Sequence, residues 1–388
     1  MRDEQYVLYG DGVRDDTAAL QRMIDTAGGE LCLPMPQVCY LISRPLELPS
    51  NFKLRLPRFA EVRLAAGANC VMLKNRYIAP YCENEKQWLF FDIEGEKVAP
   101  FSENIEVEGG VWNFNNRAQR ANPILNGATD GYLGVGMLFF AVRGLRLTSM
   151  TLKDPVTFAV TMDSVSYFTV DHIVFDFNYG NPLATNMDGI HLNGNCSFGH
   201  ITDLKGACYD DKVALNADEG TKGPITDITI DGLYAEDCHS AVRLLSANYP
   251  VKNVHSTNVY GTYYQYCIGF TKYYKGETTG RFDCISLRNI HASKARRLPV
   301  QEAHMGNKDF HFPLIWMQGD TRIGQLEIDG LHRRELVNNV ETVKVGDGCV
   351  IDRLTVRNFS QETGVEGECP AYVIHGEVKI FDRDGEAR

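Results

Sequence analysis

Residues 144–175 read GLRLTSMTLKDPVTFAVTMDSVSYFTVDHIVF. Three short runs, GLRLTSMTL, FAVTM and YFTVDHIVF, alternate apolar and polar residues and are separated by Asp, Pro and Ser turns, the pattern of strands that each bury one face. The first and third are versions of one unit begun again after 167 − 144 = 23 residues. Working outward, the unit recurs from Phe198 (FGHITDL), Ile225 (ITDITIDGL), Val251 (VKNVHSTNV), Phe282 (FDCISLRNI), Ile323 (IGQLEIDGL) and Val350 (VIDRLTVRN), at steps of roughly 23 to 31 residues with one longer step near residue 300, the range of one solenoid coil. A second series lies between them: FAVTM at Phe158, GIHLN at Gly189, KVALN at Lys212, AVRLL at Ala241 and CIGFT at Cys267. A coil with at least two strands cannot bury its apolar face alone, so coils stack on one continuous core. The expected fold is all-β, a single-domain, single-stranded right-handed parallel β-helix over 1–388. A β-sandwich would space its turns more closely, and propeller blades would be longer, with four strands each.

The open end of such a stack needs a cover. Gly10-Asp11-Gly12-Val13-Arg14-Asp15-Asp16-Thr17 leads into Ala18, Leu20, Met23 and Ile24 at helical spacing, which predicts a short capping helix within residues 10–28, with Asp16 or Thr17 as N-cap. Lys74–Glu103 and Lys294–Phe312 are less regular and read as loop insertions of the kind that shape a cleft.

Composition narrows the function. A net charge of −11 with scattered basic residues disfavours a nucleic-acid partner. No apolar run is long enough to span a membrane. Eleven cysteines without a C-x-x-C pair indicate free thiols rather than a disulfide framework or a zinc site. Together with an N-terminus (Met1-Arg2-Asp3-Glu4-Gln5) that lacks signal-peptide organisation, they lead us to expect a cytoplasmic protein.

Two acidic turns precede strands of the second series: Asn186-Met187-Asp188-Gly189-Ile190 and Tyr209-Asp210-Asp211-Lys212-Val213. Asp188 and Asp211 are 211 − 188 = 23 residues apart, one coil, so stacking sets them on neighbouring rungs about 5 Å apart. Asp210 joins them, and repulsion among three carboxylates raises at least one pKa, giving a protonated acid beside an ionised base. His239 precedes the next strand of the series. A lone Asp in such a turn ordinarily serves the local backbone; only the column makes these residues candidates for chemistry.

These residues resemble the pectin-degrading polygalacturonases and related inverting glycoside hydrolases. GDGVRDDTAALQRMID looks like their N-terminal cap, KDPVTFAVTMDS like the coil before their active site, NMDGIHL like their Asn-Thr-Asp-Gly turn, and YDDKVAL like their Gly-Asp-Asp-Cys-Ile-Ala turn. The likeness runs loosely from Gly10 to Lys272, and only the acidic turns are specific. It implies a metal-independent and cofactor-free glycosidase in which Asp210 is the general acid and Asp188 with Asp211 activates water. His239 would match the family's Gly-His-Gly histidine, although Cys238 and Ser240 flank it here. The family's Arg-Ile-Lys strand, which holds a uronic-acid carboxylate, is replaced by Cys267-Ile268-Gly269-Phe270-Thr271-Lys272. Alternation puts His191, Ala214, Arg243 and Gly269 in one outward column, leaving Arg243 or an out-of-phase Lys272 as the cation for an acidic sugar. Asn186, His191 and Tyr264 complete the expected substrate contacts, Tyr264 as one of a group with Tyr263, Tyr266, Tyr273 and Tyr274 that offers stacking faces. The expected partner is a carbohydrate, and the expected state is a monomer or small homo-oligomer. Two other readings share the fold: a Ca²⁺-assisted polysaccharide lyase, and a non-catalytic glycan-binding or tailspike-like module.

Overall fold

A computed structural model describes residues 7–76, 102–126, 132–296 and 311–384. The interiors of both expected loop insertions, 77–101 and 297–310, lie outside the described residues, as does the N-terminal pentapeptide used for the cytoplasmic expectation.

Among the described residues, the strands form an 18-stranded and an 11-stranded sheet, parallel in every pairing, wound as a right-handed β-helix. Every run of the first series falls in the larger sheet, including Ser166–Asp176, Ser197–Lys205 and Ile225–Cys238. The second series forms the smaller sheet: Val160–Asp163, Ile190–Leu192, Asp211–Asn216, Ser240–Leu245 and Ile268–Thr271.

Register follows the period-two pattern, because slipping by one residue would turn each strand's apolar side chains out of the core. Phe168, Gly199, Ile228, Val254, Ile285, Leu326, Leu354 and Phe381 stack one above another in the larger sheet. Gly199 belongs in that column because the Phe168 ring fills its slot: a Cβ there would lie 2.0 Å from Phe168 Cζ. Across the core, Val160, Ile190, Val213, Val242, Ile268 and Ile315 form the facing column. One cluster of buried apolar residues runs from Leu20 to Val356.

The helix forms where expected, at Thr17–Thr26, with Leu20 and Ile24 buried against the first coil. Asp16 is its N-cap by position, yet its side chain makes no capping bond. Instead, the Asp16 carboxylate accepts from the backbone N–H groups of Tyr9 (2.6 Å), Gly10 (3.2 Å) and Leu41 (3.3 Å), tying the leading segment to the first coil. Asp15 takes over at the helix start, accepting from the Thr17 N–H at 2.8 Å. The cysteines among the described residues are all free thiols. No helix among them is long and apolar enough to cross a membrane.

Candidate active site

The acidic turns are built by the strands that follow them. Ile190 pairs with Val213, which sets Asp188 on the rung beside Asp211, and the Gly189 N–H donates to the Asp211 carbonyl at 3.0 Å. Asn186 turns the chain at φ 53°, a conformation Asn tolerates better than most residues. Met187, Ala184 and Tyr209 pack into a small buried cluster that pins the two turns together. The backbone register thus sets the two turns on neighbouring rungs.

Asp188 and Asp210 open onto one cleft. Asp210 Oδ1 lies 3.2 Å from His239 Nδ1, and its Oδ2 accepts from Asn186 Nδ2 at 3.4 Å. Asp211 and His239 are each 1% exposed and stand directly behind the lining. Asp211 accepts from Ser240 Oγ at 2.5 Å and faces Arg243 Nη1 at 3.5 Å. Burial, and next the charge of Asp210, push the Asp188 and Asp211 carboxyls upward. A cluster of this kind titrates as a unit and keeps a proton to higher pH than isolated carboxylates do.

His191, in register with Ala214, Arg243 and Gly269 as alternation required, is stacked on Phe158 with ring centroids 4.0 Å apart. Its Nδ1 meets Asp188 Oδ2 at 2.6 Å. Burial alone would depress its pKa, but hydrogen bonds to Asp188 and Glu219 outweigh burial and raise it. Arg243 also lines the cleft, under the ring of Tyr273 and donating through Nε to Thr271 Oγ1 at 3.1 Å.

Two expected contacts are placed elsewhere. Lys272 does not line the cleft: its ammonium donates to the Gly276 carbonyl at 2.7 Å and faces Asp320 at 3.8 Å. Its out-of-phase position turns it toward its own loop. Tyr264 is buried and meets His239 edge-on, with ring centroids 4.9 Å apart, so it buttresses that imidazole and offers no stacking face. Of the expected tyrosine group, Tyr263 and Tyr266 are buried too, whereas Tyr273 and Tyr274 line the cleft.

The sequence reading missed Glu219, Asn216 and Phe158 as lining residues. Glu219 Oε2 faces His191 Nε2 at 3.0 Å and accepts from Asn216 Nδ2 at 3.0 Å, while Oε1 accepts from Tyr274 Oη at 2.7 Å. Its signal lay in the chain: an acidic residue three positions beyond Asn216, at the far end of the strand that begins with Asp211.

Asp210, Asp211 and His239 bring one ligand atom each to within 4.8 Å of one another. Two carboxylates and an imidazole suit a divalent cation, but the Asp211 oxygens already serve Ser240 and Arg243.

The stacked coils, with clustered acids on the smaller sheet, define the class of architecture as a parallel β-helix. No protein-family model and no curated protein sequence matches the chain. Solved structures do. A family 28 exopolygalacturonase from Yersinia enterocolitica superposes with a TM-score of 0.62 at 12% identity, over 99% of this chain and 77% of that one. Endo-xylogalacturonan hydrolase from Aspergillus tubingensis gives 0.58 at 12%, over 95% and 94%. The tailspike of E. coli bacteriophage HK620, solved as a mutant with a pentasaccharide, gives 0.62 at 12%, over 96% of this chain and 64% of the tailspike. At such identities the likeness is one of fold.

Proposed function

We propose that this protein is a glycoside hydrolase that cleaves O-glycosidic bonds of a pectic or related polysaccharide or oligosaccharide with inversion and without a metal. One observation carries the reading: Asp188 and Asp210, from successive coils, open onto the same cleft, with Asp211 and His239 directly behind them. The crowding of three carboxylates and an imidazole leaves an acid and a base side by side. Asp210, steadied by His239 and Asn186, protonates the leaving oxygen. Asp188, with Asp211 buried behind it, draws the proton from a water that attacks the opposite face of the sugar. The aromatic rim of Phe158, Tyr273 and Tyr274 suits the apolar faces of a sugar. Similar folds in proteins named for glycan hydrolysis or solved with a glycan add support.

A reducing-end assay over a panel of acidic and neutral glycans tests the proposal. Asp210→Asn, which keeps the shape of the side chain but cannot act as an acid, is expected to lower kcat by about 10²–10⁴-fold in a folded protein. Activity within a few-fold of wild type would remove Asp210 from the acid's role. The Asp210–Asp211–His239 cluster favours one alternative, a cation-assisted lyase. A chelator would silence such an enzyme, and its unsaturated product would absorb in the ultraviolet; the hydrolase shows neither behaviour. Binding of a glycan without turnover would favour a recognition module instead.

A further inference from the structure

His191 is the cleft residue for which acid–base hydrolysis has no task. The ring is 1% exposed. Asp188 Oδ2 stands 2.6 Å from Nδ1, and Glu219 Oε2 3.0 Å from Nε2. Asn193 Oδ1 is also near Nε2, at 3.1 Å, and that amide's orientation is fixed because its Nδ2 donates to Asp163 Oδ2 at 3.2 Å. The ring therefore meets acceptors at both nitrogens. A neutral imidazole carries one N–H and can satisfy only one of them; the imidazolium satisfies both.

The surroundings agree. Glu219 comes from the turn after the strand Asp211–Asn216, and Asp188 from the turn before the histidine's own strand. Asp210 and Asp211 act on Asp188 from the next coil. Arg243, on the strand beyond, is the opposing cation, and it faces Asp211 at 3.5 Å. Tyr274 bonds to the far oxygen of Glu219, Asp163 reaches the ring only through Asn193, and the Phe158 face is apolar. Negative charge dominates around the ring. Asp188 Oδ2 is thereby tied to the imidazole, while Asp188 Oδ1 is buried and has no hydrogen-bond partner.

We propose that His191 is a permanently charged positioning residue: with Glu219 as counter-ion, it locks Asp188 in one rotamer through Oδ2 and favours the ionised form of that carboxyl against burial and the charge of Asp210. The identification of Asp188 as the water-activating base rests on the hydrolase reading; the charge on His191 and the lock do not.

The experiment is long-range ¹H–¹⁵N NMR of histidine-labelled protein from pH 5 to 9. One of the ten histidines should keep both ring nitrogens protonated throughout and be missing from His191→Gln. In Glu219→Gln the same ring should titrate toward the ordinary value of about 6.5. If His191→Gln fails to fold, the selective change in Glu219→Gln, an isosteric substitution of a side chain that lines the cleft, makes the assignment. A wild-type ring that titrates between pH 6 and 7, or a signature unaltered in Glu219→Gln, overturns the proposal and leaves the hydrolase reading intact. A persistent imidazolium in a protein that cleaves no glycan supports the proposal and sinks the hydrolase reading. Where turnover is found, Glu219→Gln should lower kcat at least tenfold with KM within threefold, and shift the acid limb of the pH profile upward, because Asp188 loses its cation. A simple packing defect would not move that limb.

Discussion

Asp163 is fully buried on the rung before His191, and its four contacts hold the turn that carries Glu219. Its carboxylate accepts from the Thr221 N–H at 3.0 Å and hydroxyl at 2.5 Å, from Ser164 Oγ at 3.0 Å and from Asn193 Nδ2 at 3.2 Å. Gly220 is required beside it, since a Cβ would lie 1.9 Å from Asp163 Oδ2 and φ there is +59°. Burial pushes this carboxyl from 3.8 up to about 6, against the pull of those hydrogen bonds. The sign of the consequence is fixed: between pH 4 and 6 the unfolded chain has released a proton that the folded chain still binds. The contribution of Asp163 is therefore full at acid pH and declines as pH rises through that window, by on the order of 3 kcal/mol for a shift of about two units. Urea unfolding at pH 4 and pH 7 checks this: wild type should lose more stability across the interval than Asp163→Asn, whose amide does not titrate. Equal losses would show that Asp163 has an ordinary pKa.

Strands and turns differ in how far the chain discloses them. The columns were legible because an alternating strand has only two faces, so Ile190, Val213 and Val242 could be set inward and His191 and Arg243 outward from parity alone. The neighbouring of Asp188 and Asp211 followed from one coil length. Turns carry no such period. Glu219 reaches the cleft through a turn whose course depends on Asp163, some 58 residues away by its bond to Thr221, and no local pattern announces that. Tyr264 and Lys272 lie just beyond strand ends, where parity lapses and burial is decided by neighbouring coils. Gly189 joins the two kinds of element. A Cβ there would lie 2.6 Å from the Lys212 carbonyl and 2.7 Å from the Phe175 ring, and the carbonyl belongs to the paired strand. Gly189→Ala should thus force the Asp188 turn off its rung, lowering stability by about 1–3 kcal/mol and activity by more than the stability loss explains. Thermal melts and kcat on the same preparation decide it; an unchanged melting temperature would mean the turn has slack.

Over the whole molecule, the charge of the cleft bears on which ligand the proposed hydrolase would take. Asp188, Asp210 and Glu219 line the cleft with Asp211 behind, against His191 and Arg243, and Arg243 is already engaged by Asp211 and Thr271. A sugar carboxylate entering this cleft gives up water and, among the described residues, finds no uncommitted cation lining it. Unmodified polygalacturonate is therefore expected to be a poor substrate beside neutral glycans in the same assay. Where an acidic sugar is taken, Arg243→Ala should weaken its binding by roughly 1.5–3 kcal/mol and affect neutral sugars less. Efficient polygalacturonate hydrolysis that Arg243→Ala leaves unaltered would contradict this charge argument. The outward column Thr161, His191, Ala214, Arg243, Gly269 and Trp316 has a geometric consequence as well. Successive members are one strand spacing apart, about 4.8 Å, and each coil touches mainly the coils beside it. The column is graduated like a ruler, one mark per coil in chain order, and His191 and Arg243, two coils apart, are the marks that face the cleft; altering one rewrites one mark while the other keeps its place.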